Sequence, residues 1–345
     1  MGHARAKIQP NRRKSFKPGK TRRRAGVARG AQRWLKHPAD RAAGGTGDDG
    51  SDTMIALDWG TSNLRAYRLD GRGQVLDQVA LANGITKVAP GGFPQALSDA
   101  VGPWLRDGER HVLLCGMVGS RQGWVEAPYL PCPASPADIA AALIEVPFAD
   151  AQVKLIPGLS ARDAAGTPEV MRGEETKLIG LMAALAGDGL VCMPGSHTKW
   201  ARLAGGRIDG FSTYFTGEAF AALRAGTILG RMMTGEAIEP EGFHRGVARS
   251  GEAGHLLHHL FGVRTRALFG ELSEAAGAGF LSGLLIGHEV RAAMPVAGTV
   301  RLVGDATLVG LYATAIAQCG GTALAMELDA AAAGLALIGE QVRWG

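Results

Sequence analysis

Two segments of this sequence have the residue types of a phosphate-binding turn. In each, an apolar run ends in a glycine followed by hydroxyl and other polar residues: Gly60, Thr61 and Ser62 in the first segment, and Gly195, Ser196, His197, Thr198 and Lys199 in the second. Such a turn exposes backbone N–H groups, which together with a hydroxyl suit a phosphate oxygen or a hydrated metal ion. Asp58, just before the first glycine, is placed to hold a hydrated Mg²⁺ beside phosphates. Lys199 is interpreted either as a cation that neutralises phosphate charge or as a solvated surface residue.

The two segments repeat at a constant offset of 135 residues. At this offset five pairs of positions coincide in residue type: Gly60 with Gly195, Thr61 with Ser196, Ala66 with Ala201, Gly71 with Gly206, and Arg72 with Arg207. Two copies are too few for a solenoid, so the repeat indicates one ancestral domain duplicated into two facing lobes. We expect the two turns to face each other and to hold the phosphates of one nucleotide.

A pair of adjacent carboxylates lies between the two turns. Glu174 and Glu175 open a predicted helix in the segment 171–177. Acidic residues are favoured at the positive end of a helix dipole, which is a purely structural explanation. Alternatively, one of them is a general base that accepts the proton of a hydroxyl attacking a γ-phosphate. Neighbours on a helix point about 100° apart, so only one of the two can face a cleft.

The periodicity of apolar residues predicts the elements that position these groups. Strands are predicted at 54–58, 64–69, 74–82, 111–115, 153–158, 300–304 and 322–325, with a three-stranded unit over 190–215. Helices are predicted at 93–106, 174–186, 218–233, 252–261, 267–294, from 306, and at 329–338, and residues 124–136 are predicted to be irregular. This alternation indicates an α/β protein of two lobes. At the junction of strand 300–304 with its helix, Gly304 and Asp305 could receive an adenosine.

The net charge of +5 is unevenly distributed along the 345 residues. Residues 1–53 have a balance of +10 and the remainder a balance of −5. This basic leader is predicted to be disordered and dispensable, with Met54 as an alternative start of the chain. A nucleic-acid-binding arm is the disfavoured interpretation of the leader, so no nucleic-acid partner is expected.

Composition also restricts location and class. A hydrophobic fraction of 46% with 20% charged residues is typical of a globular protein. No apolar run approaches 18 residues, so no membrane span is expected. The four cysteines show no metal-ligand spacing and are interpreted as buried small side chains of a cytoplasmic protein.

The order of these parts resembles the sugar kinases of the actin/hexokinase/Hsp70 superfamily. More specifically, residues 54–345 resemble the 2-dehydro-3-deoxygalactonokinase family in five segments: 116–124, 126–129, 171–176, 194–200 and 216–218. The resemblance implies a two-lobed actin-like (ribonuclease H-like) ATPase fold with mixed sheets, flanking helices and a central cleft, divided here into lobes at 54–187 and 188–345. It implies a kinase of galactonate breakdown that uses ATP, assisted by Mg²⁺, to phosphorylate the 6-hydroxyl of 2-dehydro-3-deoxy-D-galactonate.

Roles for individual residues follow from this resemblance. Asp58 would serve the metal, and either Glu174 or Glu175 would be the base. The nucleotide would contact Gly60, Thr61, Ser62, Gly195, Ser196, His197, Thr198, Lys199, Gly304 and Asp305. The sugar acid would contact Arg121, Gln122, Trp124, Glu126, Tyr129 and Arg172. A guanidinium fork suits a carboxylate, with Arg121 the first candidate and Arg172 the second; core packing is the alternative for Trp124 and Tyr129.

Other functions are left open by the sequence. A kinase of the same superfamily for another sugar or sugar acid is the runner-up. A non-kinase ATPase switch, such as a filament or chaperone lobe, is disfavoured because the body has no spare length for an interaction domain. Whether the chain forms a homo-oligomer is also open.

Overall fold

The computed structural model describes residues 53–185, 187–235, 237–294 and 296–345. The predicted leader, 1–53, lies outside these residues except for its last position. The strands are, in chain order, β1 (Met54–Trp59), β2 (Leu64–Leu69), β3 (Val75–Leu81), β4 (His111–Cys115), β5 (Tyr129–Pro131), β6 (Ile144–Val146), β7 (Gln152–Leu155), β8 (Gly158–Arg162), β9 (Pro168–Met171), β10 (Gly189–Met193), β11 (Thr198–Ala204), β12 (Arg207–Tyr214), β13 (Thr299–Leu302) and β14 (Thr322–Ala325).

The helices flank these strands. They are α1 (Phe93–Arg106), α2 (Pro136–Ala141), α3 (Glu174–Ala184), α4 (Thr216–Gly226), α5 (Pro240–Ser250), α6 (Leu256–Leu268), α7 (Glu274–Ala293), α8 (Ala306–Gln318) and α9 (Ala330–Gly339).

The two main sheets have the same arrangement of strands. The first has the order β3-β2-β1-β4-β7-β6, and the second has the order β12-β11-β10-β13-β14. In both, the first three strands are antiparallel neighbours, and the first strand also pairs in parallel with the fourth. A short third sheet contains β5, β8 and β9. The repeated arrangement confirms the predicted two-lobed actin-like α/β fold with mixed sheets and flanking helices.

Strand β1 is buried on both faces because helices cover both sides of its sheet. Ile55 and Leu57 pack toward α1 in one apolar cluster, whereas Met54 and Ala56 belong to a second cluster on the opposite face. This second cluster also contains residues of α3 and α9 and of strands β10 to β12, so these two helices lie between the two sheets. Helices α5, α7 and α8 cover the far face of the second sheet.

Close backbone contact joins α3 to α9. Gly180 of α3 faces Gly334 of α9, and a Cβ added to Gly334 would collide with the carbonyl oxygen of Thr176. Helices α5 and α7 meet in the same way, since a Cβ on Gly246 or on Gly283 would strike the backbone of the partner helix. Small residues spaced four apart therefore set how closely these helices pack.

Several predicted elements differ from the observed ones. The predicted strand 153–158 is two strands, because Pro157 interrupts it after β7 and has no N–H for a ladder. The predicted helix 252–261 is wrong at its start, since α6 begins at Leu256, and helix α5 was not predicted at all. The predicted helix 267–294, expected to be interrupted by glycines, is broken at one place, between α6 and α7. Gly270 with φ +72° lies in this break, and Ser273 caps the start of α7 by accepting from the N–H of Ala276.

Candidate active site

One cleft joins the ends of strands from both lobes. Its volume is about 700 Å³. The predicted residues that line it are Asp58, Gly60, Thr61, Arg172, Glu174, Gly195, Ser196, His197, Gly304 and Asp305. The predicted central cleft is therefore present, and it brings together the two glycine turns, one of the paired carboxylates and the strand–helix junction. Ser62, Glu175, Thr198 and Lys199 do not line it.

Two glycines in left-handed conformations bring α3 to the end of β4. Gly116 follows β4 with φ +94°, and Gly173 precedes α3 with φ +101°. A Cβ on Gly173 would lie 3.1 Å from the Cα of Gly116, so a larger residue would force the two segments apart. This approach sets the start of α3, which carries Glu174, against the loop next to β1, which carries Asp58.

The two adjacent carboxylates have different surroundings. Glu174 lines the cleft, and its Oε2 accepts from the N–H of Arg172 at 3.0 Å. Glu175 is fully buried, and its Oε2 accepts from the N–H of Gly173 at 2.6 Å. Burial, and next the charge of Glu174, raise the pKa of Glu175 to about 8. Only Glu174 is therefore placed to meet a molecule in the cleft.

Asp58 has a cationic neighbour that the sequence analysis did not assign. The Nζ of Lys177, on α3, lies 3.5 Å from Oδ2 of Asp58. The charge of Asp58 raises the pKa of the Lys177 amine above its ordinary value. Arg65 and Asp329 also line this part of the cleft. Arg65 lies opposite Asp58 in the register of β1 and β2.

The second turn is packed against the start of α4. The N–H of Glu218 donates to the carbonyl oxygen of Ser196 at 3.0 Å. The carboxylate of Glu218 is 2.7 Å from Nε2 of His197, whose ring stacks on Phe215 with centroids 5.3 Å apart. These contacts fix the turn against the helix and leave its Gly195 and Ser196 facing the cleft.

Two predicted nucleotide contacts point elsewhere. The hydroxyl of Thr198 lies 2.8 Å from that of Tyr312, which donates to the buried carboxylate of Glu289. Lys199 donates to the carbonyl oxygen of Val170 at 2.8 Å, and burial lowers the pKa of its amine. Both side chains therefore support the second turn from the protein interior.

The strand–helix junction at the end of β13 also borders the cleft. Gly304 has φ +155°, and a Cβ there would lie 3.4 Å from the carbonyl oxygen of Pro194 in the second turn. Asp305 caps α8 by accepting from the N–H groups of Thr307 and Leu308. The junction thus lies directly beside the second turn.

The candidate sugar-acid residues separate into three groups. Arg121, Gln122 and Glu126 are exposed, and Arg121 pairs with Glu126 at 3.2 Å. Trp124 stacks on Phe93 and belongs to the core of the first lobe. Arg172 lines the cleft beside Tyr129, with its guanidinium carbon 4.5 Å from the centre of that ring.

Arg172 is a buried cation with an incomplete set of partners. It is 9% exposed, and its Nη2 donates to the carbonyl oxygen of Ala127 at 2.7 Å. Among the residues that the structure describes, neither Nε nor Nη1 has a hydrogen-bond partner, and the same is true of the nearby Ser120 hydroxyl. A buried guanidinium left this way is costly unless an anion or a water completes its bonds.

Comparison with known proteins identifies the family of this fold and cleft. Residues 58–338 match the family model described as 2-keto-3-deoxy-galactonokinase. The chain belongs to the 2-keto-3-deoxy-galactonokinase family. A Rhizobium meliloti protein named a probable 2-dehydro-3-deoxygalactonokinase is 40% identical over 284 residues, which span 80% of this chain and 92% of that protein. The 2-dehydro-3-deoxygalactonokinase of Escherichia coli is 34% identical over 80% of this chain and 94% of its own length.

A solved structure agrees with this family. A Sinorhizobium meliloti protein, provisionally assigned as a 2-dehydro-3-deoxygalactonokinase, superposes with a TM-score of 0.75 at 38% identity. It covers 84% of this chain and 97% of its own. The predicted kinase family and enzyme class are confirmed. Within the described residues, no helix has both the length and the apolarity needed to cross a membrane.

The residues around Asp58 fit the Mg²⁺ that the resemblance implies. The Asp58 carboxylate and the Thr61 hydroxyl line the cleft and would supply oxygen ligands, which this hard cation prefers. Across the described residues, no group of three or more His, Cys, Asp or Glu side chains could hold a metal by itself. Because Mg²⁺ is usually bound through one or two carboxylates together with substrate phosphates, this sparse donor set suits it.

Three charged residues that line the cleft were missed in the sequence analysis: Lys177, Arg65 and Asp329. A usable signal existed for Lys177, because it follows Glu174 by three residues and such residues share a helix face. Arg65 could have been found from hairpin pairing, which places it opposite Asp58. No local signal existed for Asp329, since tertiary contacts place it: α9 packs against α3, and the Asp329 carboxylate accepts from the Tyr67 hydroxyl on β2.

Proposed function

We propose that this kinase transfers the γ-phosphoryl group of ATP to the 6-hydroxyl of 2-dehydro-3-deoxy-D-galactonate. One observation carries the proposal: both glycine turns, Glu174 and Arg172 line the same cleft. A nucleotide held by the turns would present its γ-phosphate between the lobes. An acceptor anchored by Arg172 would then lie beside Glu174.

Glu174 is the general base in this proposal. It takes the proton of the 6-hydroxyl as the bond between that oxygen and the γ-phosphorus forms. The bond from the γ-phosphorus to the β–γ bridging oxygen breaks, and ADP leaves with its electron pair. Glu175 is unsuited to the task because it is buried and bonded to the Gly173 N–H.

The nucleotide is bound by the two turns. The N–H of Gly195 and the hydroxyls of Thr61 and Ser196 would donate to phosphate oxygens. The N–H of Gly60 instead closes the first turn by donating to the carbonyl oxygen of Asn63. Gly304 and the start of α8 would receive the adenosine. Asp58 would hold Mg²⁺, which supplies positive charge to the phosphates.

The acceptor's carboxylate is bound by Arg172. Arg172 lines the cleft, and a carboxylate that enters there would offset the charge of this buried guanidinium. The Tyr129 ring supports the guanidinium from one face. Arg121 is the weaker candidate because it is exposed and already paired with Glu126.

The test is ADP release by the purified full-length chain with a panel of acceptors. We expect release with 2-dehydro-3-deoxygalactonate and little with a neutral sugar of similar length. The gluco epimer in the same panel measures the stereochemical preference, which the sequence leaves open. Release that does not depend on any acceptor would favour an ATPase switch instead. A preference for a neutral sugar would contradict the role of Arg172 and indicate a different sugar kinase.

A further inference from the structure

Lys177 is the one lysine among the described residues that line the cleft. It follows Glu174 by three residues on α3, so both side chains lie on the same face of the helix. Its amine lies beside the Asp58 carboxylate at the end of β1. The amine is therefore close to both the candidate base and the candidate metal ligand.

The contact between Lys177 and Asp58 is loose. Its length of 3.5 Å exceeds the roughly 2.7–2.9 Å of a charge-assisted hydrogen bond. The Lys177 side chain is 35% exposed, whereas that of Asp58 is 13% exposed, so the amine is the more accessible partner. A lysine amine is cationic at neutral pH. A charged donor held this loosely can change partners when an anion enters the cleft.

We propose that Lys177 leaves Asp58 to bind the γ-phosphoryl group of ATP and stabilises its charge during transfer. This role rests on the proposed kinase function. A phosphoryl group in transfer carries charge on its three equatorial oxygens, and a positioned cation lowers the energy of that state. Three other basic side chains border the cleft. Arg172 is anchored to Ala127 and His197 is bonded to Glu218. Arg65 lies on β2, opposite Asp58, whereas Lys177 is on the same helix as the candidate base.

A purely structural role for Lys177, neutralising Asp58, makes a different prediction. Such a role would affect folding and all nucleotides alike, because it does not involve the γ-phosphate. A contact to the γ-phosphate instead distinguishes ATP from ADP, which lacks that group. The ratio of the two affinities therefore separates the two roles without any measurement of turnover.

The experiment compares Lys177→Met with Lys87→Met, a control that removes an exposed lysine outside the cleft. Calorimetric titrations of each full-length variant use ADP and a non-hydrolysable ATP analogue, both with Mg²⁺. We expect Lys177→Met to lower the affinity for the ATP analogue about tenfold or more, as for loss of a charged hydrogen bond. The affinity for ADP should be nearly unchanged. The control should bind both as the wild type does. Equal weakening of both nucleotides, or no change in either, would overturn the proposal.

Turnover gives a second readout. We expect Lys177→Met to lower kcat by roughly 10²–10³-fold, as for loss of a transition-state donor, with little change in KM for the sugar acid. Lys177→Arg, which keeps the charge, should retain the preference for the analogue over ADP, and it replaces the methionine variant if that one does not fold. An active wild type with a fully active Lys177→Met would refute only the role of Lys177. A wild type that phosphorylates no sugar acid would refute the proposed function itself.

Discussion

Substituting the buried Glu175 by Gln tests whether its carboxyl stays protonated in the folded protein. Glu175 has no exposed surface, and its carboxyl accepts from the N–H of Gly173 and the hydroxyl of Thr176. Glutamine has the same shape and keeps an acceptor oxygen, but it never ionises. The two proteins therefore differ in whether a charge can form beneath the cleft.

The expected effect is a change in how stability depends on pH. The ordinary pKa of this carboxyl is 4.5, and burial raises it to about 8 in the folded protein. Between these values the folded state keeps a proton that the unfolded state loses, so stability falls as the pH rises. The stabilising contribution of the protonated Glu175 carboxyl to the free energy of unfolding is fully present below about pH 4.5 and is lost as the pH approaches 8. The slope is about 1.4 kcal/mol per pH unit for one proton.

Urea denaturation of both proteins at several values between pH 5 and pH 8 measures this effect. The free energy of unfolding of the wild type should fall relative to that of Glu175→Gln across the range, by up to about 1.4 kcal/mol per pH unit. Glu241→Gln, which alters an exposed carboxyl on α5, should follow the wild type. Parallel curves for the wild type and Glu175→Gln would refute the claim that Glu175 stays protonated in the folded protein.

Three further substitutions test the cleft and its framework. Glu174→Gln should lower kcat by about 10²–10⁴-fold, as for loss of a general base, while calorimetry shows nucleotide binding retained; an active variant would remove Glu174 from that role. Arg172→Met should raise KM for the sugar acid about 10- to 100-fold through loss of a charged contact, whereas Arg121→Met should change this KM little. A larger rise in KM for Arg121→Met than for Arg172→Met would favour Arg121 as the carboxylate-binding residue. Gly334→Ala should lower the free energy of unfolding by about 1–3 kcal/mol through overpacking against α3, and the same change at Gly310 on α8, which has open space around it, should not.

Local patterns were sufficient for three elements of the first lobe. Strand β2 (64–69), helix α1 (93–106) and strand β4 (111–115) have the predicted bounds. In β2 the buried apolar residues are interrupted by the less buried Arg65 and Arg68, and in α1 the apolar spacing indicates one buried face. The repeat at offset 135 likewise corresponds to the matching strand orders of the two sheets.

Elements stabilised by tertiary contact could not be predicted locally. Helix α5 contains Gly242 and Gly246, which disfavour an isolated helix, yet both lie where α7 leaves no room for a Cβ. Strand β9 has only four residues, too few for a clear alternation, and it is held by antiparallel pairing with the preceding strand β8. The partner of α5 therefore lies further along the chain, whereas that of β9 is the adjacent strand.

The candidate site was predictable in part for the same reason. The turn residues and the acidic pair are visible in the sequence because each follows a strand or opens a helix. Which glutamate faces the cleft depends on the rotation of α3, and that rotation is set by its packing against α9. The burial of Lys199 and the exposure of Arg121 likewise depend on neighbours that are remote in sequence. The roles of these residues remain predictions.

The most direct test of the central claim is the binding of one triphosphate by turns from both lobes. A non-hydrolysable ATP analogue is titrated into the wild type, Thr61→Val and Ser196→Ala, with each affinity and stoichiometry measured by calorimetry. We expect one analogue per chain and an affinity that falls about tenfold in either variant, since each loses a hydrogen bond to a charged group. Binding that is weakened by a change in one turn only, or two analogues per chain, would contradict it.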